Sequence, residues 1–422
     1  MSLVLVKAIT AGGVRAFSVL IALLTTIVVS RALGAEEGGL FLLGFTLMTV
    51  LSTVLRLGLD GVLIRAFGAH GINSVSLELL GYAFRWCALS TTLAVFVGVN
   101  FSEFISMYVF GKPAYEGVFF WMILSLPFVV FYHLYSFSFQ GLQLVISATI
   151  FQQLGNGSIF LVVFSMAWMF FPDWLTAEYT GLLFFISSLV VFFIAVISWG
   201  RASDSGFSIT PLKLKNAQLW KASSNFWISQ SMSLMVQWSG VLIAGAMLDV
   251  SQLAYLIAAQ RVASVVPFAL VVVNMAVAPR YARLWNEGKL DELRALARVS
   301  TRGLIVAVIP VVGLMAFFPE LLLKLFGSGF EQGALLLVIL SIGQFINVAT
   351  GSVGYLLNMS GHEKDLRRVS LVTGPASILL VIILTSILGA TGTALATALG
   401  IAFQNIGALV FVKRRLGFWP IT

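Results

Sequence analysis

Apolar runs of twenty or more residues recur along the whole chain, and no segment between them exceeds about twenty residues. A helix of that length crosses the roughly 30 Å hydrocarbon core of a bilayer. We read twelve such runs, at about 5–30, 38–64, 77–100, 117–140, 144–170, 178–200, 221–247, 253–279, 297–318, 332–358, 368–388 and 391–412. Composition agrees: 422 residues are 59% hydrophobic and 10% charged, with a mean hydropathy of +1.01. No soluble globular domain has that balance. The fold class expected is all-α integral membrane, with twelve transmembrane helices. The first 34 residues imitate a signal peptide, with Lys7, Arg15 and an apolar run. That run is too long and further spans follow, so an uncleaved first helix is expected. The single cysteine, Cys87, gives neither a disulfide framework nor a cysteine metal site.

A net charge of +8 in isolation suggests nucleic acid, but the charges sort by side. One set of alternate loops and span ends carries 18 of the 25 basic residues. The other holds Arg31, Lys112 and Lys324 with nine acids: Glu36, Glu37, Glu103, Glu116, Asp173, Glu178, Asp249, Glu320 and Glu331. The positive-inside rule then puts both termini in the cytoplasm, with no nucleic-acid partner needed.

The chain repeats itself. Phe110-Gly111, Gly117 and Ile123-Leu124-Ser125-Leu126 recur 216 residues on as Phe326-Gly327, Gly333 and Ile339-Leu340-Ser341-Ile342. Leu33, Gly39 and Arg65 fall on Leu248, Ala254 and Arg280 at an offset of 215. Two six-helix bundles are expected, 1–200 and 221–422, joined by a basic cytoplasmic linker at 201–220. Six is even, so the copies share orientation about a pseudo-two-fold axis along the membrane normal, with a cavity expected between them.

Ser30 to Arg65 carries the most specific pattern. A polar turn, RALGAEEGGLF, leads into an apolar segment that ends LGLDGVLIR. Arg56 and Asp60 are four residues apart and share a helical face. A charge at mid-membrane costs about 2.5–3.5 kcal/mol even on the lenient scale, so the pair should face protein or a water-filled cavity. These two motifs resemble the opening of bacterial polysaccharide flippases, the Wzx or O-antigen translocase type of the MATE-like MOP superfamily. The resemblance in length, span count and repeat covers nearly the whole chain. It implies a MATE-like two-bundle fold, a site in the bacterial inner membrane and a lipid-linked oligosaccharide substrate. It implies work alongside membrane lipids and other polysaccharide-assembly membrane proteins.

The candidate site residues follow from what an apolar span tolerates. Lys7, Arg15, Arg56, Arg85 and Arg261 are basic residues in or at the edge of spans. Arginine forks match phosphate oxygens bidentately, so a cationic cavity suits a diphosphate head group. The alternative for Arg85 and Arg261 is snorkelling to an interface. Polar stripes come next: Asn225, Gln230 and Gln237 on span seven, Gln344 and Asn347 on span ten, Gln152 and Asn156 on span five. Amides in apolar helices need partners. Interhelical hydrogen bonds, about 0.6 kcal/mol each, are one reading; a wet groove for sugar hydroxyls is the other. Asp60, Glu78 and His133 are the ion-coupling candidates, for H⁺ or Na⁺. The aromatic stripe Phe128, Tyr132, Tyr135 and Phe139 reads as packing or sugar stacking. The segment 281–300 is amphipathic and reads as a cytoplasmic interfacial helix leading into span nine, or as a solvated connector. No cofactor and no metal site is expected, and there is no P-loop.

The reading that results is a non-enzymatic flippase. It moves an undecaprenyl-diphosphate-linked oligosaccharide from the cytoplasmic to the periplasmic leaflet by alternating access. A MATE-type ion-coupled exporter of drugs or metabolites is the alternative. It should carry acids in its cavity, whereas this chain carries arginines. A lipid II flippase of the same superfamily would have two further spans. A membrane polymerase or ligase would have a large outer loop with a catalytic constellation.

Overall fold

The computed structural model describes residues 2–203 and 216–421; within these the side chains of residues 2–12, Arg15, Asn225, Ser229 and Ser233, among a few others, lie outside the description. The described residues form helices joined by short turns. Contacts divide the chain into two compact units, Met1–Ser231 and Met232–Thr422. Most of the expected linker, 204–215, lies outside the described residues.

The first unit holds α1 (Ser2–Leu55), α2 (Leu59–His70), α3 (Ser74–Asn100), α4 (Tyr115–Gly141), α5 (Gly155–Phe170) and α6 (Ala177–Ser203). The first half of α7 (Asn216–Met247) belongs to it as well. The central helix is α4, packed against α1, α2, α3 and α6. Its inward positions include Ser125, Ser136 and Ser138, all fully buried. Small residues let helices approach where lipid supplies no hydrophobic drive between them. The space left is filled by rings, such as Phe41 stacked on Phe160 at 5.3 Å and Phe139 edge-on to Trp199 at 5.3 Å. The stripe Tyr132, Tyr135 and Phe139 is buried in this packing.

The second unit holds the rest of α7, then α8 (Val250–Ala263), α9 (Phe268–Asn286), α10 (Leu290–Phe317), α11 (Ala334–Ala349), α12 (Val353–Met359) and α13 (Glu363–Leu416). Here α11 packs against α8, α10 and α13. A buried cluster of Tyr281, Leu284, Leu293, Leu356, Leu357, Val412 and Phe418 closes one end.

Outward positions in both units are apolar. Phe96 on α3 is 64% exposed and Val306 on α10 is 70% exposed. Such surface suits hydrocarbon rather than water.

Among the described residues, eight helices are long and apolar enough to cross a membrane, or nine if the bent pair Ile146–Gln152 and Gly155–Phe170 is one span. The count is below the twelve runs read from sequence, for reasons visible in the backbone. Two helices are 54 residues long, and each contains one glycine at positive φ, Gly34 (73°) and Gly389 (59°). In α13 the ends meet: Arg415 Nε lies 2.6 Å from Asp365 Oδ2. A straight helix would hold residues fifty apart at roughly 75 Å. So α13 is a hairpin about Gly389, and only glycine takes that bend without a Cβ penalty. The bent pair is interrupted by a π-helical turn at Ile150–Leu154. In α7 the apolar stretch among the described residues is Leu234–Met247 alone.

The segment 281–300 is not one separate helix, and its second part runs on into the helix that forms span nine. Its residues end α9 and begin α10, on either side of a turn at 287–289 where Lys289 pairs with Glu287 at 2.9 Å. Arg283, Glu287, Lys289 and Glu292 pair around that turn.

Candidate functional site

Two broken helices set out the polar chemistry, one in each unit. In the first unit the helical path breaks between α1 and α2, where Leu57 and Gly58 take φ of 54° and 69°. A break frees backbone carbonyls, which must find partners in an apolar medium. Here they do. The Val54 carbonyl accepts from Trp227 Nε1 at 2.9 Å and the Leu55 carbonyl from Ser90 Oγ at 2.8 Å. The Arg56 carbonyl accepts from the Leu59 amide at 2.9 Å and lies 3.9 Å from Cys87 Sγ. The Leu57 carbonyl accepts from Ser223 Oγ.

Asp60 occupies the first turn of α2, where a carboxylate meets the positive end of the helix dipole. Its Oδ1 accepts from the Gly61 amide at 2.9 Å, and its Oδ2 accepts from Gln230 Nε2 at 3.0 Å. Arg56 Nε stands 3.6 Å from Oδ2, with side-chain exposures of 7% and 1%. Arg56 Nη2 also donates to Thr53 Oγ1 at 3.2 Å, and the guanidinium lies 5.4 Å from the Phe137 ring centre. The pair is buried, and its two charges offset each other.

The second unit breaks between α8 and α9, at Ser264 to Pro267. Proline cannot donate, so the ladder stops there. Arg261 lies in the last turn of α8, where a cation complements the negative helix end. Its guanidinium sits 5.7 Å from the Trp238 ring centre. Beside it opens a cavity of about 590 Å³. Six amides line it: Gln237 from α7, Gln260 from α8, Gln344 and Asn347 from α11, Gln404 and Asn405 from α13. Val236, Val241, Ile257, Pro267 and Val271 supply apolar wall, and among the described residues no aspartate or glutamate lines it. The amides are steadied by neighbours. Gln260 Nε2 donates to the Gln237 carbonyl at 3.1 Å, Asn347 Nδ2 to Gln344 Oε1 at 3.2 Å, and Asn405 Nδ2 to the Ile401 carbonyl at 2.9 Å.

The structure therefore brings Arg56, Asp60 and Gln230 together in one unit, and Gln237, Arg261, Gln344 and Asn347 around one cavity in the other. Gln152 and Asn156 bond elsewhere, to Gln140 at 2.8 Å and Ser188 at 3.1 Å. His133 Nδ1 donates to the Val129 carbonyl at 2.7 Å and its ring stacks on Tyr132. Glu78 is half-buried and Arg85 exposed on α3. The side chains of Lys7, Arg15 and Asn225 lie outside the described residues. Sequence reasoning missed Gln404 and Asn405. Their signal was the one that marked Gln344: paired amides inside an apolar run.

Comparison with known proteins places this geometry in context. The family model described as polysaccharide biosynthesis protein matches residues 5–285. A probable low-salt glycan biosynthesis flippase, Agl15 of Haloferax volcanii, is 25% identical over 226 residues, 52% of this chain. That match spans about half the length of the relative, 47%. Among solved structures, the lipid II flippase MurJ in an inward closed conformation gives a TM-score of 0.78 at 15% identity, covering 96% of this chain and 87% of that one. An inward-facing multidrug resistance MATE family transporter of the MOP superfamily gives 0.74 at 13% identity, covering 95% and 94%. At such identities these two likenesses concern the fold.

Proposed function

The chain belongs to the polysaccharide biosynthesis protein family, and from that premise we propose that it is a flippase for an undecaprenyl-diphosphate-linked oligosaccharide. In this reading it carries the glycan from the cytoplasmic to the periplasmic leaflet of a bacterial inner membrane by alternating access. Both termini are cytoplasmic. The chain crosses twelve times: α1 and α13 cross twice each about Gly34 and Gly389, and the bent pair and α7 cross once each.

The observation that carries the proposal is the lining of the second unit's cavity, which among the described residues has one guanidinium, six amides and no acid. An amide donates and accepts hydrogen bonds, as a sugar hydroxyl does. A cavity of this volume falls in the usual range for small-molecule sites, about 300–1,000 Å³. An exporter of cationic drugs needs the reverse polarity, because an uncompensated cation beside Arg261 is repelled.

The test is a flipping assay in proteoliposomes with a fluorescent lipid-diphosphate oligosaccharide. Wild type is expected to move it, and Arg261→Ala to slow it at least tenfold while folding normally. Movement of small cationic dyes alone would sink the flippase reading in favour of the exporter.

A further inference from the structure

We propose that the first unit carries a binding site for an ammonium group, in a second cavity where α5 meets α6. It goes beyond the flippase reading and does not depend on it.

The cavity measures about 400 Å³ and lies where residues 171–176 join the two helices. Trp121 of α4, Trp174 of the connection and Tyr179 of α6 line it, together with Asp173 and Glu178. Among the described residues no lysine, arginine or histidine lines it, and neither carboxylate has a hydrogen bond or an ion pair. The walls are built from within the unit. The Trp121 ring packs against Phe120 and Phe185, with centres 5.3 and 5.7 Å away. The Glu178 carboxyl lies against α4 at Gly117, where a Cβ would come within 2.5 Å of Glu178 Cδ. Glycine there leaves the carboxylate its place on the wall. Thr176 Oγ1 accepts from the Tyr179 amide at 3.2 Å and fixes the start of α6.

The lining selects the ligand. The faces of Trp and Tyr attract a cation through the ring quadrupole. A carboxylate accepts hydrogen bonds and donates none, and its bonds from a charged N–H are the strong ones. An anion is repelled by both carboxylates, and a neutral sugar leaves both without a counter-charge. Calcium takes about six to eight oxygens, more than two carboxylates and a threonine hydroxyl supply. An ammonium meets the rings and the carboxylates alike.

The level in the membrane narrows the source. The cavity lies at the ends of two apolar helices, where Trp and Tyr belts sit among lipid head groups. Phe171 and Trp174 are 56% and 69% exposed there. A belt of anchors needs no acids, and the sequence repeat supplies a control. In the second unit the turn at Gly389 makes the corresponding connection, and 386–395 reads SILGATGTAL, with no aromatic residue and no acid. Joining the two helices therefore does not call for the residues found in the first unit. An ammonium at this level comes from an aminolipid head group or from an amine-bearing sugar.

The experiment is native mass spectrometry of the full chain in detergent with four probes: phosphatidylethanolamine, its N-acetyl derivative, octyl glucosaminide and octyl N-acetylglucosaminide. Each pair keeps the body of the molecule and removes the charge. Wild type is expected to hold at least one amine about tenfold tighter than its acetylated form. Asp173→Asn combined with Glu178→Gln should erase that preference, and Trp174→Leu should weaken amine binding by a factor of a few. All three side chains are exposed, so the variants should fold, and an unchanged thermal unfolding midpoint checks that they do. Retention of the aminolipid alone assigns the site to a head group, and retention of the glucosaminide alone assigns it to a glycan; either result, or both, upholds the ammonium site. Equal retention of amine and acetylated forms by wild type overturns it, whatever the variants do. So does amine binding that neither variant weakens.

Discussion

Arg56 and Arg261 solve one problem in opposite ways. Each is an arginine in an apolar unit, and each lies beside a break in the helical path. Around Arg56 the break is sealed. Side chains from α3 and α7 cap the freed carbonyls, and Asp60 supplies the counter-charge. Around Arg261 the break opens on about 590 Å³ lined with amides. The sequence repeat makes α2 and α9 counterparts, since Arg65 of one falls on Arg280 of the other. At that same offset Arg56 falls on Val271 and Arg261 on Thr46, so the two arginines are not themselves counterparts. The sign of a buried charge therefore says less about function than whether its surroundings are closed.

The largest test of that contrast is removal of the counter-charge. Asp60→Ala leaves the Arg56 guanidinium buried and uncompensated, which costs about 3–5 kcal/mol. Thermal unfolding in detergent should show the loss, and a paired Arg56→Met, Asp60→Leu variant should recover most of it. A stable Asp60→Ala protein would mean that water reaches Arg56 and that the two regions are alike.

Gly58 comes next. It is held at φ 69°, and a Cβ there would press on the Ser223 carbonyl and the Trp227 amide. Gly58→Ala should destabilise by about 1–3 kcal/mol, the range for a strained backbone position. The neighbour that must give is backbone, so no rotamer change relieves it. An unchanged unfolding temperature would show that α7 does not seal this break.

Much of this contrast was legible in the residues, and the rest was hidden for physical reasons. Four-residue spacing sufficed to pair Arg56 with Asp60, because a helix puts i and i+4 on one face. The partnership of Asp60 with Gln230 spans 170 residues, and no local period encodes it. The stripe on α7 looked like one groove, yet Gln230 bonds in the first unit and Gln237 lines the second unit's cavity. A helix that serves two units carries one polar face for two purposes, and periodicity cannot divide it. The break at Leu57 was also invisible, since leucine at positive φ is held by tertiary contacts rather than by preference. The spans themselves were easier. Lipid demands long apolar runs whatever the packing, although hydropathy cannot tell two helices joined at Gly389 from one long one.

Arg261→Gln should have a smaller effect on stability than either change in the first unit. It loses a cation–π contact over Trp238, about 0.5–1 kcal/mol. No aspartate or glutamate is among the described residues that line the cavity. Stability and transport should therefore separate in this variant, whereas Asp60→Ala should lose both together. Measuring unfolding and flipping on the same preparations checks this. A stability loss as large as that of Asp60→Ala would make Arg261 a second structural tie.

Gln404→Ala carries the contrast to its smallest effect. Gln404 Nε2 donates to Ser370 Oγ across 3.4 Å, a long hydrogen bond, and Ser370 Oγ itself donates to the Leu366 carbonyl at 3.2 Å. Removing the amide therefore strands no buried group. If the amides are a network that holds helices together, each is worth about 0.6 kcal/mol on average, and losses should add as Gln344, Asn347 and Gln404 are truncated in turn. If they face a substrate, Gln404→Ala should leave the unfolding midpoint unchanged and slow flipping by a factor of a few. Its partner Ser370 then serves as the control. Ser370→Ala leaves the cavity-lining amide in place, so the receptive reading expects normal transport from it, while the network reading expects the two variants to behave alike.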